Sequence, residues 1–217
     1  MADAAGAVRI APDPLREPWS ELARQREAAT FGMWLFLMSE MLFFGALFMA
    51  FSFSRAFSSA AFMEGARHTE IAYGAANTVA LVTSSLTITL AVRAADIGRA
   101  KLAASFLGAT AALGLLFLVI KGFEYRDDLR HHLFPGAGFA LGQNAAQIFW
   151  AFYWAMTGIH AVHLAIGIGL VLRLFWLARR SGISPKSPQF EVASLYWHLV
   201  DAFWLVLFPV LYVAARG

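Results

Sequence analysis

The stretch YWHLVDAFW, residues 196–204, continues as an apolar run to Val213 and contains His198 and Asp201 three residues apart. An apolar run of this length can cross a lipid bilayer as a helix. Ionisable groups at membrane depth are costly, so they normally face a protein interior or a water-filled cavity. The spacing of these two places them on one helix face, where they can share a partner. We expect a membrane helix in which Asp201 is the partner of His198.

The composition of the whole chain is that of a polytopic membrane protein. Of its 217 residues, 59% are hydrophobic and 14% are charged, whereas a soluble domain carries about 25% charged residues. The absence of cysteine excludes disulfides, iron–sulfur clusters and thiolate zinc sites. The net charge is only +3, and the arginines lie in short loops. The basic residues therefore indicate membrane topology rather than nucleic-acid binding.

Apolar stretches long enough to span a bilayer occur five times along the chain. They cover about residues 31–53, 71–94, 102–122, 147–177 and 193–213. The connections are short, so residues 31–217 are expected to form one transmembrane domain. Residues 1–30 are polar and lack the apolar core and cleavage site of a signal peptide, which predicts a cytoplasmic tail. The predicted fold is all-α, with five transmembrane helices.

The distribution of basic residues predicts the orientation of these helices. The tail, the loop after the second helix and the loop after the fourth hold 11 of the 17 lysines and arginines. Cytoplasmic segments carry such an excess. The N-terminus is therefore expected in the cytoplasm and the C-terminus outside.

Glu40 lies near the middle of the first predicted helix, in the stretch LMSEMLFF, with no basic residue nearby on that helix. Loss of hydration favours the neutral acid at such a position. Two compatible interpretations follow. Glu40 is a protonated carboxyl that is hydrogen-bonded inside the bundle, or it is a carboxyl that exchanges protons and reacts with hydrophobic carbodiimides.

Two further histidines, His160 and His163, lie three residues apart in the fourth predicted helix. They could offer imidazoles to a metal or, with His198, to a haem. Three histidines without thiolates or a suitably spaced carboxylate are a weak metal signature. The favoured interpretation is structural: these histidines satisfy buried carboxyls such as Glu40 or Asp201, or hold a lipid phosphate.

The remaining intramembrane polar residues are expected to serve packing and anchoring. Small polar residues from 77 to 89 predict close helix packing and hydrogen bonds between helices. Glu124, at the end of the third helix, is expected to be solvated or ion-paired. Trp150, Tyr153 and Trp154 near the start of the fourth helix fit an aromatic belt at the membrane interface.

Several motifs occur in the order found in subunit III of the haem–copper respiratory oxidases, and the chain resembles that family from about residue 27 to 213. The matching motifs are GMWLFLMSE at 32–40, NT at 77–78, EY at 124–125, GIHAVH at 158–163 with Gly167, and YWH at 196–198 with Asp201 and Trp204. Glu40 occupies the position of the family's carbodiimide-reactive glutamate. The chain is similar to the five-helix bacterial form, because it lacks the first two helices of the seven-helix mitochondrial type.

The resemblance implies a non-catalytic subunit of a bacterial inner-membrane oxidase that reduces O2 and pumps protons. It implies that haem and copper belong to subunits I and II and that this chain holds neither. It also implies packing against subunit I, with support for its stability and proton uptake. The implied partners are subunits I and II, a small subunit IV and phospholipid. In the seven-helix form a cleft beside the first two helices holds phospholipid; here another subunit must close that cleft, or it is absent.

Other functions remain open from the sequence. The chain has no nucleophile elbow, phosphate-binding loop or redox-cofactor motif, so enzymatic chemistry within this chain alone is unsupported. One alternative is an accessory membrane subunit of nitric oxide reductase. Another is a small proton-coupled transporter that uses Glu40, His198 and Asp201. The electron donor of an oxidase, cytochrome c or quinol, is also open.

Overall fold

The computed structural model describes residues 21–141, 144–180 and 188–214, and helices are the only regular secondary structure in those residues. The helices are α1 (Leu22–Phe57), α2 (Ser59–Arg67), α3 (Ile71–Asp96), α4 (Ala100–Arg130), α5 (Asn144–Arg180) and α6 (Pro188–Phe208). A short π-helical turn, Pro209–Val213, continues from α6. The all-α prediction is confirmed.

The five predicted membrane helices are also confirmed, because α1, α3, α4, α5 and α6 with its π-helical turn are each long and apolar enough to cross a bilayer. The helices extend beyond most of the predicted bounds. Helix α1 begins at Leu22, so residues 22–30 of the predicted tail are helical, whereas residues 1–20 lie outside the described part. The short helix α2 was not predicted; it buries Phe62 and packs against α5.

The main bundle consists of α3, α4, α5 and α6. Helix α3 packs against α4 and α6, and α5 packs against α4 and α6. Helix α1 lies at the periphery, where its principal contacts are with α6, α5 and α2. Much of α1 therefore stays exposed, as a membrane helix that faces lipid or another subunit would be. The polar side chains described below lie in the bundle or between it and α1.

The glycine and the proline at two helix ends explain how those helices end. Gly98 adopts φ +74°, a left-handed conformation that glycine enters without a steric penalty. Its N–H donates to the Ala95 carbonyl, and the next N–H donates to the Ala94 carbonyl, so the end of α3 is capped. At the other end of the molecule, Pro209 lacks an N–H and its ring disturbs the preceding turn. The regular α6 accordingly gives way there to a π-helical turn.

The helices approach closely where a glycine faces a large aromatic ring. A Cβ atom added at Gly114 of α4 would lie 2.8 Å from Cη2 of Trp197 and 3.0 Å from Cγ1 of Ile168. Both distances are shorter than ordinary van der Waals contact. Glycine at this position lets α4 approach α5 and α6, as small residues do in membrane bundles.

Candidate functional site: polar groups inside the membrane bundle

Glu40 of α1 contacts His163 of α5, and both side chains are 17% exposed. The distance from His163 Nε2 to Glu40 Oε2 is 3.0 Å. The other ring nitrogen, Nδ1, donates to the carbonyl of Ile159 one turn earlier, at 2.9 Å. This contact joins the peripheral helix to the bundle. It agrees with the interpretation that an intramembrane histidine satisfies a carboxyl at membrane depth.

His198 is not paired with Asp201, and this prediction was wrong. Its Nδ1 lies 2.7 Å from the hydroxyl of Ser85 on α3, and its Nε2 lies 3.4 Å from the Thr89 hydroxyl. Ser85 also lies beside Asp201. Neither Asp201 oxygen, however, reaches a hydrogen-bond partner of normal geometry in the described residues. The shared helix face therefore directs both side chains to α3 rather than to each other.

His160 lies in the centre of the bundle and is fully buried. Its ring packs against Phe117 of α4 and Trp204 of α6, with ring centroids 5.5 and 5.2 Å apart. Neither ring nitrogen has a hydrogen-bond partner within the described residues. His160, His163 and His198 thus have three different surroundings. Among the residues that the structure describes, no group of three or more histidine, aspartate or glutamate side chains could hold a metal ion.

The most extensive polar cluster lies near the end of α4, and we call Lys121, Glu124, Asp128, Tyr153 and Tyr212 the lysine cluster. Spacings of three and four residues place the first three on one face of α4. The Lys121 and Glu124 side chains are each 2% exposed and their charged groups lie 3.1 Å apart. The Lys121 ammonium donates to both tyrosine hydroxyls, at 2.9 and 2.7 Å. Glu124 is ion-paired, as one of its two expected states required.

Tyrosine hydroxyls complete the lysine cluster. Tyr153 Oη lies 2.7 Å from Glu124 Oε1 and 3.0 Å from Asp128 Oδ2. Tyr212, from the π-helical turn, donates to Glu124 Oε1 at 2.5 Å. The ammonium also lies within 6 Å of the ring centres of Tyr125 and Trp204, as in cation–π contacts. Four elements thus enclose a charged group that would be unstable alone at this depth.

Three members of this cluster, Lys121, Asp128 and Tyr212, were not predicted as site residues, and Tyr153 was assigned to an aromatic belt. Tyr153 and its neighbour Trp150 are fully buried, so they do not belong to an aromatic belt at the interface. Trp154 remains half-buried, and its indole N–H lies 3.3 Å from the Leu133 carbonyl. The available signal was the spacing of Lys121, Glu124 and Asp128, which places one cation and two carboxyls on the same face of a membrane helix.

Small polar residues of α3 hydrogen-bond across the bundle, as predicted. Ser84 accepts the indole N–H of Trp197 at 2.9 Å, and Thr78 accepts that of Trp204 at 3.0 Å. The Thr87 hydroxyl lies 2.7 Å from a threonine hydroxyl on α4. These bonds join α3 to α4 and α6. They support the interpretation of this segment as a packing surface.

Comparisons with known proteins identify the family. The family model described as "Cytochrome c oxidase subunit III" matches residues 22–216. A cytochrome c oxidase subunit 3 from Thermostichus vulcanus is 33% identical, over 85% of this chain and 87% of the relative. A probable quinol oxidase subunit 3 from Staphylococcus saprophyticus is 26% identical, over 84% and 87%.

A third relative joins two subunits in one polypeptide. The haem–copper oxidase subunit I+III of Aeropyrum pernix is 29% identical, over 83% of this chain and 22% of that longer protein. The match of the family model covers nearly all of the residues that the structure describes. The chain therefore belongs to the cytochrome c oxidase subunit III family, the non-catalytic third subunits of the haem–copper oxidases.

Proposed function

We propose that this chain packs against subunit I of a bacterial haem–copper terminal oxidase, next to subunit II and a small subunit IV, and supports the stability and proton uptake of subunit I. The observation that carries the proposal is the family match over residues 22–216. The relative that joins subunits I and III adds support, because a fusion keeps two chains together.

The proposed location is the bacterial inner membrane, with the N-terminus in the cytoplasm and the C-terminus outside. The excess of basic residues on the N-terminal side supports this orientation. The other six basic residues include Lys121, which is buried in the bundle and does not report on topology. The charge asymmetry between the two sides is therefore larger than the sequence count indicated.

The exposed face of α1 supports contact with phospholipid or with another membrane subunit. Large apolar side chains point away from the bundle along most of its length, including Trp34, Met38, Leu42, Met49 and Phe53. Such a surface requires an apolar environment. We assign no haem or copper to this chain; the different surroundings of its three intramembrane histidines support this assignment.

We assign a functional role to Glu40. It is partly exposed where α1 meets α5, so hydrophobic reagents and protons can reach it from that surface. His163 holds it in place. A carboxyl with one nearby basic partner can exchange a proton without leaving an isolated charge in the membrane. The comparisons favour neither nitric oxide reductase nor transport as an alternative function.

The test is to delete the chain from its oxidase and to measure haem content, sustained turnover and proton pumping. We expect the haem spectrum to persist while turnover decays faster and pumping falls. A parallel comparison uses Glu40→Gln with Ser39→Ala as the control, because Ser39 is exposed and bonds only within its own helix. A deletion strain with unchanged turnover and pumping would refute the proposal. Failure of tagged chain to co-purify with subunit I would refute the proposed packing.

A further inference from the structure

The lysine cluster holds more negative groups than positive ones. Lys121 supplies one cation, whereas Glu124 and Asp128 supply two carboxyls. In the described part of the chain, the only ion pair within the cluster joins Lys121 to Glu124. Two ionised carboxylates would leave one uncompensated charge inside the bundle, which is costly at membrane depth. Charge balance therefore requires one additional proton.

Within the part of the chain that the structure describes, the surrounding elements supply no second cation to the cluster. Helix α5 contributes Tyr153 and His160, and the π-helical turn contributes Tyr212. The His160 ring is fully buried and its nitrogens have no hydrogen-bond partner among the described residues, so a charged ring would be costly and the neutral ring is favoured. Helix α3 contributes Tyr73, whose hydroxyl donates to Asp127 at 3.0 Å. Asp127 is 40% exposed and pairs with Arg130 on the outside of α4. That pair lies at the helix end, outside the buried cluster.

The hydrogen-bond geometry assigns the additional proton to Asp128. Tyr153 Oη lies within hydrogen-bond distance of both Glu124 Oε1 and Asp128 Oδ2, but a hydroxyl has one hydrogen and donates to one of them. Glu124 also accepts bonds from Lys121 and Tyr212, which stabilise its ionised form. In the described residues, the only side-chain hydrogen bond of Asp128 is the one with Tyr153. A protonated Asp128 donates to Tyr153, which donates in turn to Glu124, and every group is satisfied.

We propose that the lysine cluster is a proton-binding site, in which Asp128 holds one exchangeable proton and donates it in a hydrogen bond to Tyr153. Release of the proton to water converts the neutral cluster into one with a single negative charge. Asp128 lies two residues before the end of α4, next to the exposed Asp127. Exchange therefore occurs at the aqueous surface beside that helix end. The site belongs to this chain alone and does not depend on the proposed contacts with other subunits.

The experiment is infrared spectroscopy of the full chain in lipid nanodiscs, in the carbonyl-stretch region of protonated carboxyls. At neutral pH we expect Asp128→Asn to lose an acid band that the wild type shows. The matched control, Asp127→Asn, changes the adjacent exposed carboxyl and should retain that band. Loss of carboxylate absorption in Asp128→Asn, with the acid band unchanged, would overturn the proposal.

Two further variants test the charge balance. Glu124→Gln should abolish the acid band, because Asp128 becomes the counter-ion of Lys121 and ionises. Lys121→Met should add a second acid band, because both carboxyls then become neutral. Retention of the wild-type band in Glu124→Gln would contradict the shared proton. If the amide variants fail to fold, 13C-carboxyl aspartate labelling in an Asp201→Asn background reports Asp128 directly; absence of a labelled acid band would then reject the site.

Discussion

The contact between Glu40 and His163 contains one proton, whichever group holds it. His163 Nδ1 lies 2.9 Å from the Ile159 carbonyl, which can only accept, so Nδ1 carries a hydrogen. If the ring is neutral, its Nε2 is unprotonated and can only accept. Glu40 must then be protonated and donate its hydrogen across the 3.0 Å contact. A cationic ring donates from Nε2 to an ionised Glu40. In both forms a hydrogen bond joins α1 to α5.

Glu40→Gln should preserve this bond, because the amide N–H donates to the bare nitrogen of the neutral ring. We expect the free energy of unfolding to fall by about 1 kcal/mol or less. Glu40→Ala removes the partner. Since His163 is only 17% exposed, water replaces the lost bond incompletely, and the expected cost is about 1–3 kcal/mol. Neither Glu40→Gln nor Glu40→Ala retains the proton that Glu40 and His163 share.

The assay is unfolding of the full chain in mixed micelles by increasing SDS, followed by helical circular dichroism. A double-mutant cycle with His163→Ala should give a coupling energy of about 1–3 kcal/mol. Glu64→Ala is the control, because this glutamate is 44% exposed and its ion pairs in the described residues are with Arg67 and His68, at the end of α2. A coupling energy near zero would refute the contact. Equal damage by Gln and Ala at Glu40 would refute the hydrogen-bond argument.

Three other substitutions follow from the bundle. Ser85→Ala should remove the 2.7 Å partner of His198 and cost about 1 kcal/mol in the same unfolding assay; an unchanged midpoint would contradict that bond. Gly114→Ala should cost about 1–3 kcal/mol by overpacking, whereas Gly122→Ala, with open space around its Cβ, should be neutral or stabilising. Lys121→Ala should destabilise by about 3–5 kcal/mol, because it breaks a buried ion pair, forces Glu124 to take up a proton and removes the three hydrogen bonds of the ammonium; wild-type unfolding would reject the buried ion pair.

The sequence predicted the spanning helices well because apolar length is a local property. It did not predict where they end, because ends depend on contacts beyond the span. Helix α1 continues back to Leu22 through polar residues that hydropathy excludes. Helix α2 is too short and too polar for hydropathy to identify it as a membrane helix. Its position is fixed by burial of Phe62 and by packing against α5.

The polar partners were harder to predict because they come from distant parts of the chain. The sequence suggested Asp201 for His198 because they are close along one helix, but the hydroxyl of Ser85 lies 113 positions away. Lys121 lies at the end of the apolar stretch 102–122, a position where long cationic side chains commonly reach water. The burial of Lys121 depends on Tyr153 and Tyr212, which come from other elements. No local sequence pattern predicts these contacts.

The position of α1 has a consequence for biogenesis. This helix is synthesised first, but its principal bundle partners, α5 and α6, are synthesised last. Glu40 must therefore enter the membrane before His163, which follows 123 positions later, has left the ribosome. During that interval the carboxyl is best tolerated as a neutral acid. Docking of α1 is thus a late step of assembly, and a truncated chain that ends before α5 would expose an unpaired Glu40 to membrane quality control.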